Sequence, residues 1–301
     1  MPNLTDCVAV VAGASRGAGR GIALGLGDSG ATVYVTGRTQ TGGPQPADGA
    51  PGTIDETAEE VTSRGGNGIA VRVDLTVESE VAALFEKVRS EQGRLDLLAN
   101  AVFGGADAFK TTDEWIASMG QPFWQHAVGH WQHMMTAGPY AYLLASCYAA
   151  PLMAEAGKGL IVGVTDGLLE GVAEGVLDGS ANIEYQGNLM WDLSHHCINR
   201  MLLAMGTEAQ PHGIAVLTLM PGFMQTERVL MNLEGKDDLK QQFRFDLSES
   251  PQYIGRAVAA LAADDNVLEK SGRIHFVADL AQEYGFTDID GRTIPRFNPF
   301  E

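Results

Sequence analysis

Short runs of consecutive apolar residues punctuate the chain at 8–12, 31–35, 69–73, 95–99, 160–164, 214–219 and 274–277. Runs of this length suit strands buried on both faces. Between them, apolar positions recur at helical spacing over 19–29, 78–90, 131–156, 189–209 and 251–263. The N-terminal part runs strand, Gly-rich turn, helix, strand within about 30 residues, the length of one βαβ unit. Continued alternation predicts an α/β protein with a doubly wound parallel sheet of about seven strands and helices on both faces, in three layers. The sequence shows no repeat and no domain boundary, so residues 1–301 are expected to form one domain, with loop insertions near 39–53, 103–130 and 166–188.

Composition narrows the partners. The chain has 20 Lys and Arg against 38 Asp and Glu, a formal charge of −18. Such acidity disfavours nucleic acid and anionic membrane. Hydrophobic residues make up 45% of the 301, enough for a full core. Cys7, Cys147 and Cys197 are dispersed and odd in number, which argues against a disulfide framework or a zinc site. The first seven residues carry no basic or leading apolar stretch, and the apolar run 140–153 is too short to span a bilayer. A soluble, cytoplasmic protein is expected.

The 37 glycines exceed the usual share, and their placement is informative. The turn after the first strand reads Gly13-Ala14-Ser15-Arg16-Gly17-Ala18-Gly19, a GxxxGxG spacing. Glycines there let the backbone turn sharply and approach a pyrophosphate at a helix N-terminus, as in Rossmann-type folds. Thr36-Gly37-Arg38 closes the second strand. A site for NAD puts an acid near that point, whereas Arg38 suits a 2′-phosphate, with Arg16 able to share the charge. NADP(H) is therefore preferred over NAD(H); the alternative is a solvated loop arginine. Residues 1–40 hold three arginines and two aspartates, so a small basic corner sits within an acidic chain.

These features resemble the short-chain dehydrogenase/reductase family over nearly the whole chain. The resemblance is carried by Gly13, Gly17 and Gly19, by Asp74-Leu75, by Asn100-Ala101, and by Pro221-Gly222 with Thr226. Phe123-Trp124, Gly159-Leu160-Ile161-Val162, Ile198-Asn199-Arg200-Met201, Asp279-Leu280-Ala281 and Tyr284-Gly285 are similar to the branch typified by dehydrogenase/reductase member 1. The resemblance implies that Asp74 and Leu75 flank the adenine. Asn100 and Ala101 would line the floor under the cofactor, and Pro221, Gly222 and Thr226 would hold its nicotinamide end. Ala12 replaces the Thr that usually opens the glycine motif.

The catalytic positions depart from the family. Its members use Asn, Ser, Tyr and Lys. Here the Asn position falls on Gly138, the Ser position on Asp166 after Thr165, the Tyr position on Trp191 and the Lys position on His195. Trp191 and His195 stand at i and i+4, on one helix face. Indole is a donor only and cannot shuttle a proton, but an Asp and a His facing one pocket can act as an acid–base pair. Asp166 could equally cap a turn, and His195 could pack as a neutral helix residue. Tyr185, where a loop enters the helix, could present a phenol to the pocket or simply pack. Gly138, Thr165 and Trp191 are expected to line the substrate pocket.

Three functions remain open: an atypical NADP(H)-dependent oxidoreductase of a small organic substrate, a non-redox acid–base enzyme (dehydratase, isomerase or cyclase) using Asp166 and His195, or a catalytically inactive NADP(H)-binding protein. His126, His130 and His133 suggest substrate contact more than a metal, so no metal is expected. Six acids and no Lys or Arg lie between Lys158 and Arg200, reading as a solvated loop or as a rim that favours cationic or neutral substrates. The resemblance also implies a homodimer or homotetramer, built through the helices expected at 131–156 and 189–209.

Overall fold

The structure, a computed structural model, describes residues 2–165 and 187–296. Seven strands form one parallel sheet in the order β3-β2-β1-β4-β5-β6-β7. They are β1 (Val8–Ala12), β2 (Thr32–Gly37), β3 (Asn67–Arg72), β4 (Leu97–Asn100), β5 (Gly159–Val164), β6 (Ile214–Met220) and β7 (Ile274–Phe276). Every predicted strand is present, with ends shifted by a few residues.

Successive side chains of a strand point to opposite faces. Ala9 and Val11 of β1 therefore join one core, with α1 (Gly17–Gly27) and the Pro251–Ala262 helix. Val8, Val10 and Ala12 join the other, under the Glu78–Gln92, Ala141–Ala156 and Leu189–Ala209 helices. Both faces are covered, which is why these strands are apolar throughout rather than alternating. α1 crosses the Pro251–Ala262 helix at backbone contact: a Cβ on Gly25 would lie 2.5 Å from Gly255 C.

The connections differ from expectation in three places. A helix, Ile54–Ser63, follows the first insertion and is held by a capping box, in which the Thr53 side chain accepts from Glu56 N and Glu56 reaches back to Thr53 N. The 103–130 stretch is not plain loop; it carries the short helices Gly105–Ala108 and Thr112–Ser118. The helix expected over 131–156 is broken. It starts as Gly129–Met135, passes through a wide π-type turn at Thr136–Tyr140, and resumes as Ala141–Ala156. Ala137 and Gly138 leave helical geometry there, and Pro139 brings no N–H to the ladder. Among the described residues no helix is long and apolar enough to cross a membrane.

Candidate active site

The strand order reverses between β1 and β4, so the crevice at their C-terminal ends is where an open parallel sheet binds ligand. The glycine turn sits at this point. Gly13 holds φ +83°, and a Cβ there would lie 2.8 Å from Ala101 O. A side chain on Gly19 would collide with the Gly13 carbonyl, so the turn folds onto itself only as glycine. The Ser15 carbonyl lies against the backbone of Gly52, where a Cβ would approach it to 2.5 Å.

The N-terminus of α1 already addresses an anion. Gly17 N donates to Glu227 Oε2 at 2.7 Å, and the other carboxylate oxygen of Glu227 takes Arg20 Nη1 at 3.0 Å. Glu227 follows Thr226, whose Oγ1 caps the Glu227–Leu233 helix by accepting from Val229 N at 3.2 Å. The Thr226 methyl faces Gly17, 3.4 Å from where a Cβ would stand. The glycine turn and the Pro221–Thr226 turn thus meet beside the start of α1.

The two arginines behave differently from a free basic pair. Arg16 turns to the insertion and donates to Pro51 O at 3.0 Å and Gly52 O at 2.9 Å. Arg38 is half exposed and pairs with Asp107 Oδ2 at 2.7 Å. The acid opposite Arg38 comes from the 105–108 helix, far along the chain. Sequence proximity could not reveal it, and the exposed Arg38 side chain is tied to that acid.

After β3, Asp74 Oδ1 accepts from Thr76 N at 3.0 Å and Thr76 Oγ1 at 2.7 Å. Against the upward push of partial burial, these bonds hold its carboxyl below the usual range. Leu75 is buried among Leu84 and Phe85, so its side chain serves the core. Asn100, fully buried, donates to Ser146 Oγ at 3.3 Å, while its Oδ1 has no partner among the described residues. Ala101 N extends the sheet by donating to Ala12 O at 2.9 Å.

Trp191 and His195 share a face of the Leu189–Ala209 helix, their rings 4.8 Å apart. Asn188 caps this helix, accepting from Met190 N and Trp191 N at 3.1 Å, and donates to Ser118 Oγ at 2.7 Å. His195 is buried, with Nδ1 2.9 Å from Trp191 O. That contact assigns the proton to Nδ1 and the ring's lone pair to Nε2 in the neutral form. Trp191 packs against Phe103 at 5.2 Å and Trp115 at 5.6 Å, and Trp115 continues to Phe243 at 6.3 Å and thence to Phe223 at 5.8 Å. Phe223 directly follows Pro221-Gly222, so a chain of aromatic rings links the His195 face to the Pro221–Thr226 turn.

Gly138 lies in the helix break over Ile198, with its Cβ position 3.9 Å from Ile198 Cδ1 and otherwise open. Thr165 is buried, its N donating to Leu219 O at 3.0 Å. Asp166 and Tyr185 lie outside the described residues, as does most of the 166–188 insertion. The His130 ring lies 4.5 Å from the Phe109 ring, tilted by 60°, and His133 lies on the exposed side of its helix.

One group in this region was not anticipated. Glu249, fully buried, accepts from Gly222 N at 2.9 Å. The Ser248-Glu249-Ser250-Pro251 string reads from sequence as a polar helix start, and nothing in it signals burial.

This fold and cradle define a class, and sequence comparison agrees. The short chain dehydrogenase family profile matches residues 7–236, and the chain belongs to this family of nicotinamide-cofactor oxidoreductases acting on small molecules. Among curated relatives, mouse dehydrogenase/reductase SDR family member 1 is 36% identical over 295 residues, covering 95% of this chain and 84% of the relative. Solved structures share the fold. A short chain dehydrogenase from Mycobacterium thermoresistibile aligns with TM-score 0.74 at 20% identity, covering 96% of this chain and 91% of that one. Angucycline C-6 ketoreductase with bound NADP aligns with TM-score 0.69 at 24% identity, covering 92% and 95%.

Proposed function

We propose that this protein is an atypical NADP(H)-binding oxidoreductase of a small organic substrate, in which the family's Asn, Ser, Tyr and Lys are replaced by Gly138, Asp166, Trp191 and His195. The observation that carries the cofactor reading is the glycine turn. Its crowded backbone leaves no room for side chains, and its helix N-terminus donates Gly17 N–H to a carboxylate. A phosphate makes the same demand on that donor. Gly13, Ser15, Arg16, Gly17 and Gly19 would hold the pyrophosphate, Asp74, Leu75, Asn100 and Ala101 the adenosine side and floor, and Pro221, Gly222 and Thr226 the nicotinamide end. When bound, the nicotinamide supplies or accepts hydride.

The preference for NADP(H) rests on Arg38, which would exchange its Asp107 partner for a 2′-phosphate. The angucycline ketoreductase with bound NADP supports a nicotinamide phosphate on this fold. The aromatic wall from Phe103 to Phe223 supports a substrate with a flat apolar face. Exposed Leu143 and Leu193, on the two helices the family uses for assembly, support a homodimer or homotetramer.

Substrate addition should change the absorbance of protein-bound NADPH, and Arg38→Ala should weaken NADPH much more than NADH. Equal losses for the two cofactors would remove the phosphate reading. Turnover at a fixed nicotinamide spectrum would instead select acid–base chemistry. That second reading is favoured by one observation, the His195 tautomer set by Trp191 O. In that case His195→Ala and Asp166→Asn should each lower turnover by about 100-fold or more. Cofactor affinity without turnover in a broad substrate screen would identify a binding protein.

A further inference from the structure

The Pro221–Thr226 turn is held from below by a buried carboxyl cluster whose parts come from three separate stretches of chain. Glu249 grips the turn through both side chain and backbone. Its Oε2 takes Gly222 N at 2.9 Å, its N donates to Phe223 O at 2.9 Å, and its O accepts from Gln225 N at 2.8 Å. The next residue, Ser250, is bound by Asp288: Ser250 N donates to Asp288 Oδ2 at 2.8 Å and Ser250 Oγ to Asp288 Oδ1. Asp288, buried like Glu249, is itself fixed by the 287–292 segment. Ile289 N donates to its Oδ1 at 2.7 Å, and Arg256 Nη1 donates to the carbonyls of Thr287 and Asp288. Arg292 bridges the same segment to Asp246 O at 2.9 Å and Ser248 O at 3.0 Å.

Burying a carboxyl is costly unless it is hydrogen-bonded or paired. Glu249 Oε1 has no partner among the described residues, so the fold spends a fully buried acid on one backbone N–H. Gly222 has no side chain through which its position could be fixed, and the grip falls on its amide. We propose that Glu249 is a positioning residue for the nicotinamide end of the cofactor, holding the Pro221–Thr226 turn by its side chain, with Asp288 and the 287–292 segment holding Glu249 in turn. This rests on the cofactor reading above.

The groups facing Glu249 are the Asp288 carboxyl and the Tyr253 phenol. Burial pushes the Glu249 carboxyl up to about 8, over the downward pull of Gly222 N–H and with help from Asp288. The neutral form of Glu249 is therefore favoured below about pH 8, and its ionisation above that places a buried charge beside the Asp288 carboxyl.

Calorimetric titration with two probes tests the assignment. NADPH spans both ends of the site, whereas 2′,5′-ADP reaches only the adenosine end. Glu249→Ala should weaken NADPH about tenfold or more, the scale of losing one buried hydrogen bond to a carboxyl. It should leave 2′,5′-ADP within about twofold of the wild type. Unchanged affinity for both probes, or equal losses for both, overturns the inference. If the wild-type protein binds neither probe, the cofactor reading falls and takes this inference with it. Glu249→Gln keeps the shape and supplies the test if the alanine variant does not fold. Wild-type affinity for NADPH should decline from about pH 7 to about pH 9 while the Gln variant holds constant. Parallel declines in the two proteins would also overturn it.

Discussion

At the scale of single residues, identity and position tell different stories. Arg38 and His195 were evident from motif spacing, because the family pattern fixes where each stands along the chain. Their partners were not, since Asp107 lies 69 residues from Arg38 and meets it only in space. Glu249 was missed for the same reason: its burial depends on the 287–292 segment, which folds back from far along the chain. The raised Glu249 carboxyl has a consequence for stability. The folded state keeps a proton that the unfolded chain, with an ordinary value of 4.5, releases. Its contribution is full below about pH 4.5 and is lost as pH rises to about 8, with no further change above that. Urea midpoints measured across this range should therefore fall with pH more steeply for wild type than for Glu249→Gln, and matching slopes would contradict the assignment.

At the scale of elements, the strands were legible because parallel strands covered on both faces must be apolar along their whole length. The Thr53-x-x-Glu56 capping box marks the start of the Ile54–Ser63 helix in the sequence as well. The short helices at 105–118 and 227–242 were not. They lie above the sheet ends, where tertiary contacts outweigh propensity and no long apolar periodicity builds up. The break at Gly138-Pro139 carried a signal in its two residue types, overridden by the apolar stretch around it. The glycine turn allows a sharp experiment. Gly13→Ala and Gly42→Ala both place an alanine at positive φ, a cost of about 1–2 kcal/mol. Only Gly13 also brings a Cβ to 2.8 Å from a backbone carbonyl, whereas Gly42 has nothing within 4 Å. Thermal melts should show Gly13→Ala losing clearly more than Gly42→Ala; equal shifts would mean the turn relaxes freely.

At the scale of the molecule, the charge of −18 is unevenly placed, and the basic corner named from sequence is largely internally compensated. Arg20 bridges Glu60 at 2.6 Å and Glu227 at 3.0 Å, and Arg38 bridges Asp107. A dinucleotide would enter a neutralised corner rather than a bare positive patch, so local exchange of ion pairs replaces long-range attraction. Assembly belongs to this scale as well. Leu143 and Leu193 are each 40% exposed, and the proposed assembly would cover them with a second copy. Light scattering should give a dimer or tetramer for the wild type and a smaller species for Leu143→Glu with Leu193→Glu. An unchanged mass would place the contact elsewhere.

The helix break at Gly138 also divides the chain's freedom to change. The Ala141–Ala156 segment buries eight of its side chains, so substitutions there are constrained by volume. The Gly129–Met135 segment buries only Met134, and the wide turn between them uncouples their helical phase. Sequence drift in the outer segment is therefore less constrained by core packing than drift in Ala141–Ala156. In such a scaffold, variation in the outer segment carries little risk to folding.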